Sequence, residues 1–427
     1  MKQPLSPHHP AQVAPNTRRK FLHLAAAPVS SLLLAACGGG SADATPLPAS
    51  QPPGGSGPTT GTILAPHPAP SSRLPDWVAN LPLWQWYAIP NTALASVEPA
   101  TQSLGGTGPR SKIDAWCGAC LKRSGSVYML GAAGGHGDYA GNEVDALALN
   151  VATPGWTQLR GPTPNSGIIN DTQFYLDLRP SSTHTYSATQ FIESLNRMIV
   201  FSSPGVNGQF PPAPANFPYT GQERSYSFNV AAGDWDPPDY VAQFPGTGDF
   251  TAALCVKHPL TNDVYYSKNY GSGWYQWASA TNTWTRLSDV TRAPWYVGAA
   301  IDPLRNRMLI VGGYSPAPPE VRGLDGAPVP AAFTGLGAAA LTLGESPGVI
   351  YDETTDRYLV AFNSGPSIKI LRVHPETWLV DDPAVGGIAP TARTNGLQNA
   401  MQYVPELRGL VVANRYDGNV YFIRTAA

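Results

Sequence analysis

The chain has 427 residues, of which only 13% are charged, and its 27 Lys and Arg against 29 Asp and Glu give a formal net charge of -2. Binding phosphates needs a concentrated basic surface, so this composition argues against a nucleic-acid partner. Gly (43) and Pro (44) are abundant and punctuate short β-branched and aromatic runs. With no long stretch of apolar 3.6 periodicity, that pattern indicates an all-β protein rather than a helical one.

In chain order, residues 1–37 read as a targeting segment. A basic stretch holding Arg18 and Arg19, then Phe21 and Leu22, precedes an apolar run from Leu24 to Ala36 that is too short for a stable membrane helix. The paired arginines resemble a twin-arginine (Tat) signal, which implies export of an already folded protein. Leu34, Ala35, Ala36 and Cys37 resemble a bacterial lipobox, implying cleavage before Cys37 and acylation of its thiol. Gly38 after the cysteine implies sorting to the outer membrane, so a lipid-anchored protein of the cell envelope is expected. Residues 38–75 are Gly, Ser, Pro, Ala and Thr with almost no large apolar side chain. Such a segment buries too little surface to offset its ordering entropy and reads as a flexible tether.

Residues 76–427 carry a repeat. Six times a polar turn is followed by a bulky apolar run: 126–131, 197–201, 263–267, 307–313, 357–362 and 408–413. Four times a second aromatic or aliphatic strand and a closing tryptophan come next, with Leu147, Leu149 and Trp156, then Tyr226, Phe228 and Trp235, then Tyr275, Trp277 and Trp284, and a shorter copy in 368–373 with Trp378. Recurrence at some tens of residues marks a stacked repeat architecture. With Gly134-Gly135 and Gly312-Gly313 behind two of the runs, the combination resembles the kelch repeat and implies a β-propeller of four-stranded blades, similar to the central domain of galactose oxidase.

The expected blades are 111–160, 181–240, 248–289, 293–343, 345–383 and 395–427. The last has no room for a fourth strand, whereas residues 83–89 form a strand without a blade. The N-terminal strand should therefore complete the last blade, closing a six-bladed ring with no free sheet edge and a monomeric state. Seven blades remain an alternative if 161–180 or 323–344 hide strands. Cys117 and Cys120 form a CxxC read as part of a strand over 114–121; with no second CxxC or nearby His pattern, these and Cys255 are expected to be buried structural thiols.

In an up-and-down blade the loop between strands two and three shares a face with the link to the next blade. That face should gather His136, Asp138, Tyr139, Asn142, Glu143, Tyr270, Trp274, Tyr314, Arg415 and Tyr416 from the loops, with Arg179, His184, Tyr186, Arg292, Trp295 and Arg393 from the links. The aromatics suit sugar rings and the arginines suit carboxylates or sulfates, so the expected partner is a saccharide or another extracellular ligand. Two enzymatic alternatives use the same face. One is β-elimination on an acidic polysaccharide, with His184 or Tyr186 as base and acid and Arg179 or Arg224 against the uronate. The other is copper-radical oxidation, implied by the resemblance to galactose oxidase, with His136, His184 and Tyr186 as candidate ligands for copper or another divalent metal. The chain departs from that pattern, since it has no Tyr-His pair and no cysteine in an evident channel loop. No nucleophile elbow, P-loop or dinucleotide fingerprint is present.

Overall fold

Among the described residues twenty-four strands in six sheets account for the repeat: twenty-three form the blades, and Gly386–Gly387 adds a short parallel pairing to Gln85–Ala88. The computed structural model describes residues 73–427 apart from 99–104, 133, 135–138, 202–209, 221–223, 246–251, 268–270, 293–295 and 345. Of residues 271, 272, 291 and 292 only the backbone is described. The expected signal and tether lie outside the described residues, apart from 73–75.

Blade 1 is built from Cys120–Lys122, Val127–Gly131, Val144–Ala148 and Gly155–Arg160 in simple up-and-down order. Blades 2, 3 and 5 repeat it with Thr189–Ile192 to Asp234–Trp235, Leu254–Lys257 to Thr283–Arg292, and Gly348–Asp352 to Val380–Asp381. Blade 4 has three strands, Val297–Asp302, Arg307–Gly312 and Glu320–Gly323. Blade 6 contributes Met401–Val404, Gly409–Val412 and Tyr421–Arg424, and its fourth strand is Gln85–Ala88, with Trp86 opposite Ile423 and Tyr87 opposite Phe422. The ring is thus the six-bladed propeller closed by the N-terminal strand that the sequence predicts. Neither insert suspected of hiding a seventh blade does so. Residues 161–180 bridge to the 210–220 segment through Thr172 and Thr220. Residues 327–329 turn back onto the third strand of blade 4, where Gly323 donates to the Ala327 carbonyl and Val329 to that of Val321, and 334–337 then lie along the outer strand of blade 5, where Val380 donates to the Thr334 carbonyl and Gly337 to that of Val380.

Each apolar run is the second strand of its blade, and both of its faces are buried because a blade is sandwiched between two others. Side chains alternate accordingly. Tyr128 and Leu130 pack with Val411 and Phe422 of blade 6, whereas Met129 packs with Met198 and Val200 of blade 2. Every blade interface has such a cluster, and six of them circle the axis. Three of the closing tryptophans stitch a blade to what precedes it: Trp156 Nε1 donates to the Thr92 carbonyl at 2.8 Å, Trp235 to Asn142 at 3.1 Å and Trp284 to Ala242 at 3.0 Å. A buried indole needs that partner, which is why the repeat keeps tryptophan there. Trp378 lies in the turn before the last strand of blade 5, in the left-handed region, with Arg307 stacked 4.9 Å above its ring.

The polar turn before each run also has a physical cause. Its last residue is left-handed in all six blades, at Ser126, Asn196, Asn262, Asn306, Asp356 and Arg408. Asn and Asp tolerate that region best among residues with side chains. Asp302 Oδ1 accepts the backbone N–H of Leu304 and Arg305, and Asp352 Oδ1 that of Thr354 and Thr355. At the same place in blade 3 stands His258, whose Nδ1 accepts from Leu260 and Thr261 at 3.2 and 3.3 Å.

Candidate functional site

The face opposite those turns carries the blade links. Five innermost strands start from a residue with positive φ: Tyr186 (43°), Ala252 (52°), Tyr296 (65°), Ser346 (59°) and Gln398 (38°). Such a conformation costs on the order of 1–3 kcal/mol in a residue with a bulky side chain and persists only when its surroundings hold it. Here the neighbouring blade does so. Gln398 N donates to the Ser346 carbonyl at 3.2 Å, Ser346 N to Tyr296 at 2.7 Å, and Tyr296 N to Ala252 at 3.0 Å. Ser187 Oγ continues to Ala253, Tyr186 N to Trp116 and Ala119 N to Asn399, which completes the circle. The mouth of the central channel is therefore a hydrogen-bonded collar in which each blade fixes the next.

Two of the collar residues are tyrosines, and they belong to an aromatic arc. Ring centroids are separated by 5.0 Å from Trp116 to His184, 5.9 Å from His184 to Tyr186, 5.8 Å from Tyr186 to Tyr296 and 6.2 Å from Tyr296 to Tyr314. His184 and Tyr186 are buried, Trp116 and Tyr296 half-buried, and Tyr314 is 58% exposed. Beside Trp116 opens a recess of about 440 Å³ lined by Thr107, Arg110, Ser111, Asp114 and Asn395. The Arg110–Asp114 ion pair, at 2.9 Å, also borders a second recess of about 240 Å³ next to Tyr416 and Asp417. Apolar ring faces next to an ion pair and an amide form a surface that can stack on a flat apolar group and hydrogen-bond its polar edge.

The other end of the channel is a cavity of about 160 Å³. Its polar groups are turned onto the walls. Gln190 Nε2 donates to the carbonyls of Ser187 and Cys255, Gln402 Nε2 to those of Ala119 and Asn399, and Lys257 Nζ to that of Phe191 at 2.5 Å. Burial holds Lys257 below the ordinary lysine range. These groups lace the blades together.

Below the rim, the turn that carries Arg110 and Asp114 sends Lys112 inward. Its ammonium meets Glu98 Oε1, Asp145 Oδ2 at 2.6 Å and Glu143 Oε1 at 3.1 Å, while the Tyr139 hydroxyl donates to Glu143 Oε1 at 2.7 Å. All of these side chains are sealed from solvent. Burial pushes Asp145 above the ordinary carboxylate range, and burial together with Glu143 pushes the Tyr139 hydroxyl up. Gly141 is required here for space, since a Cβ on it would lie 2.3 Å from both Glu143 Oε2 and the Tyr139 ring.

Against the sequence expectations, the structure brings His184, Tyr186 and Tyr314 together and adds Trp116 and Tyr296. Trp116 was read as part of a strand over 114–121; instead 111–114 is a helical turn and the strand starts at Cys120, which frees Trp116 to face the recess. Tyr139 and Glu143 lie in the buried cluster. Asn142 is also buried, donating to Thr163 Oγ1 and the Pro180 carbonyl. Trp274, expected on a loop, lies within Gly271–Ala278 with its ring fully buried between blades 3 and 4. Arg179 is paired with Asp177 and Asp234, Arg224 with Asp239, and the exposed Arg415 with Asp417 at 3.0 Å. Arg393 is 2% exposed and spends its guanidinium on the carbonyls of Ile113, Ala115, Cys117 and Gly396. Tyr416 is half-buried beside the second recess. His136, Asp138, Tyr270, Trp295 and the Arg292 side chain lie outside the described residues. Cys117, Cys120 and Cys255 are buried thiols outside any disulfide among the described residues, and burial pushes the latter two well above the ordinary range.

No protein-family model matches the chain and no curated protein matches it. Among solved structures it is similar to an auxiliary nutrient binding protein from Bacteroides ovatus ATCC 8483, with 11% sequence identity and a TM-score of 0.40 over 73% of this chain and 69% of that one.

Proposed function

We propose that the propeller binds an extracellular saccharide at the collar face, with Trp116, Tyr296 and Tyr314 as stacking platforms and Arg110, Asp114 and Asn395 meeting hydroxyl groups. The observation that carries this reading is the continuous aromatic arc from Trp116 to Tyr314, in which tyrosines 186 and 296 are held in left-handed backbone by neighbouring blades. Strain of that kind is characteristic of binding sites and costs stability at a place where ordinary packing would avoid it. The proposal includes location: export by the twin-arginine route, cleavage before Cys37, and a lipid anchor that leaves the collar face outside the membrane. Binding should be read by calorimetry against a panel of neutral and acidic oligosaccharides. Trp116→Ala and Tyr314→Ala should each weaken the best ligand by about two- to twelvefold, on the basis of about 0.5–1.5 kcal/mol per aromatic contact. Unchanged affinity in both variants would reject the site. Loss of radiolabelled acyl incorporation in Cys37→Ser tests the anchor.

A lyase reading is favoured by one observation, the adjacency of His184 and Tyr186 at 5.9 Å between ring centroids beside the recess. Arg179 and Arg224, the cations expected to face a uronate, are held by aspartates, and Arg110 at the recess is itself paired with Asp114 at 2.9 Å, so a uronate would have to displace that aspartate. Release of unsaturated ends from an acidic polysaccharide, abolished in His184→Ala, would turn the binder into an enzyme. Copper oxidation gains nothing from Cys120 and Cys255, which sit in the interfaces on either side of blade 2.

A further inference from the structure

The geometry points to a second site beneath the rim: Glu98, Glu143 and Asp145 hold one hard divalent cation of the calcium class beside the Lys112 ammonium. The three carboxylates each offer an oxygen, and these lie within 4.8 Å of one another. Their side chains are 3%, 0% and 0% exposed. Lys112 has three N–H donors and three carboxylate partners, so its capacity is used up. Tyr139 adds one more bond to Glu143 Oε1, and Gln158 approaches Asp145 Oδ1 at 3.5 Å. Two oxygens are still unmatched. Glu98 Oε2 and Glu143 Oε2 are sealed from solvent and have no hydrogen-bond partner among the described residues.

Charge leads to the same place. Among the described residues three carboxylates face one ammonium, so with all three ionised two negative charges are left uncompensated in a site sealed from solvent. Buried charge left unpaired is costly, and buried ions are found paired or on metals. The next groups outward, Tyr416 and Asp114, bring no positive charge, and Arg110 is already committed to Asp114. A divalent cation would balance that deficit and offer the orphan carboxylate oxygens a partner. An all-oxygen carboxylate set is the preference of calcium or magnesium and not of copper or zinc.

This site is separate from the proposed saccharide recess. Its consequence for the fold is mechanical: Glu98 belongs to the link from blade 6, and Glu143 and Asp145 to blade 1. A shared cation therefore pins the segment that carries Arg110, Asp114 and Trp116.

The test uses the full-length protein in detergent, stripped with EGTA, with calcium itself as the probe. Equilibrium dialysis at about 1 mM free calcium, the range of extracellular modules, should give one ion per chain. Calcium at about 100 times its Kd should raise Tm by roughly 3–4 °C. Glu98→Gln and Glu143→Gln should each lose the ion and the shift, with circular dichroism reporting whether they fold. Absence of bound calcium in the wild-type chain overturns the proposal, as does binding that survives in both variants. If calcium is not bound and stability instead rises as pH falls from 7 to 5, protons neutralise the cluster and the cation assignment fails.

Discussion

Replacing Arg393 by alanine separates two roles that the sequence alone could not distinguish. On the collar face an arginine is an obvious partner for a carboxylate or sulfate, yet this one is 2% exposed and its donors point at backbone. Nη1 reaches the Gly396 carbonyl at 2.7 Å, and Nη2 reaches Cys117 at 2.7 Å, Ala115 at 3.3 Å and Ile113. Its own backbone is clamped by Asn363, which accepts from Arg393 N at 3.0 Å and donates to its carbonyl at 2.7 Å. The residue thus ties the link into blade 6 to the link out of it. Arg393→Ala removes three good charge-assisted bonds and strands their carbonyls, a loss of about 3–5 kcal/mol by analogy with breaking a buried charged network. With an unfolding entropy of about 2 cal/mol/K per residue over roughly 350 residues, Tm should fall by about 4–7 °C. Arg393→Lys should recover little, because one ammonium cannot span carbonyls that a planar fork reaches. Differential scanning calorimetry gives the answer. A variant within about 1 °C of wild type that nevertheless loses saccharide affinity would refute the structural role and restore Arg393 as a ligand contact.

Three further outcomes follow from the fold. His258 can accept two backbone N–H bonds only through an unprotonated Nδ1, and burial holds its pKa below the ordinary 6.5. The unfolded chain therefore takes up a proton that the folded chain resists, so this stability is complete above about pH 6.5 and is lost as pH falls. His258→Asp, the residue type of the equivalent turns at Asp302 and Asp352, should flatten the decline of Tm between pH 6.5 and 5; an unchanged slope would contradict the assignment. Deleting residues 73–91 from the full chain exposes Tyr421–Arg424 as an open edge, and size-exclusion chromatography should show soluble aggregates in place of the wild-type peak. A Cβ on Gly118 would lie 2.0 Å from the Tyr186 carbonyl oxygen. Gly118→Ala should therefore cost about 1–3 kcal/mol and weaken ligand binding by displacing Tyr186, whereas a wild-type Tm would show that the collar yields.

The repeat was legible because a blade strand buried on both sides must be continuously apolar, and because a left-handed turn selects Asn, Asp or a polar residue at its end. Those constraints act locally and leave a mark in each copy. The last blade was legible by subtraction, from a missing strand at 395–427 and an unassigned one at 83–89. On the candidate face, placement was legible only where topology decides it, as for His184, Tyr186 and Tyr314, whose rings belong to one arc. Trp116 was missed because its orientation depends on a helical turn of four residues that no periodicity announces. Arg393, Asn142 and Glu143 were assigned to the ligand from residue type and loop position; only tertiary packing shows what their polar atoms touch. Blade 4 keeps only a rudiment of a fourth strand at 327–329, after which its insert crosses to the outer strand of blade 5, a long-range choice with no local signature.

The way the ring closes also sets the order of events in the life of the chain. Thr92 N donates to Asn419 Oδ1 across 327 residues, next to the pairing of Gln85–Ala88 with Tyr421–Arg424. While it is being synthesised, the protein is an open crescent whose first strand lacks its antiparallel partner until Tyr421–Arg424 has been made, only the two-residue parallel pairing with Gly386–Gly387 coming earlier. Five blades can be made and packed, yet the two ends of the sheet array still present unpaired backbone to any neighbour. Completion is therefore a single late step. A chain truncated by even its final strand is a different object from the finished ring, with sticky ends instead of a seam, and a pathway that accepts only folded cargo would have a sharp feature by which to tell them apart.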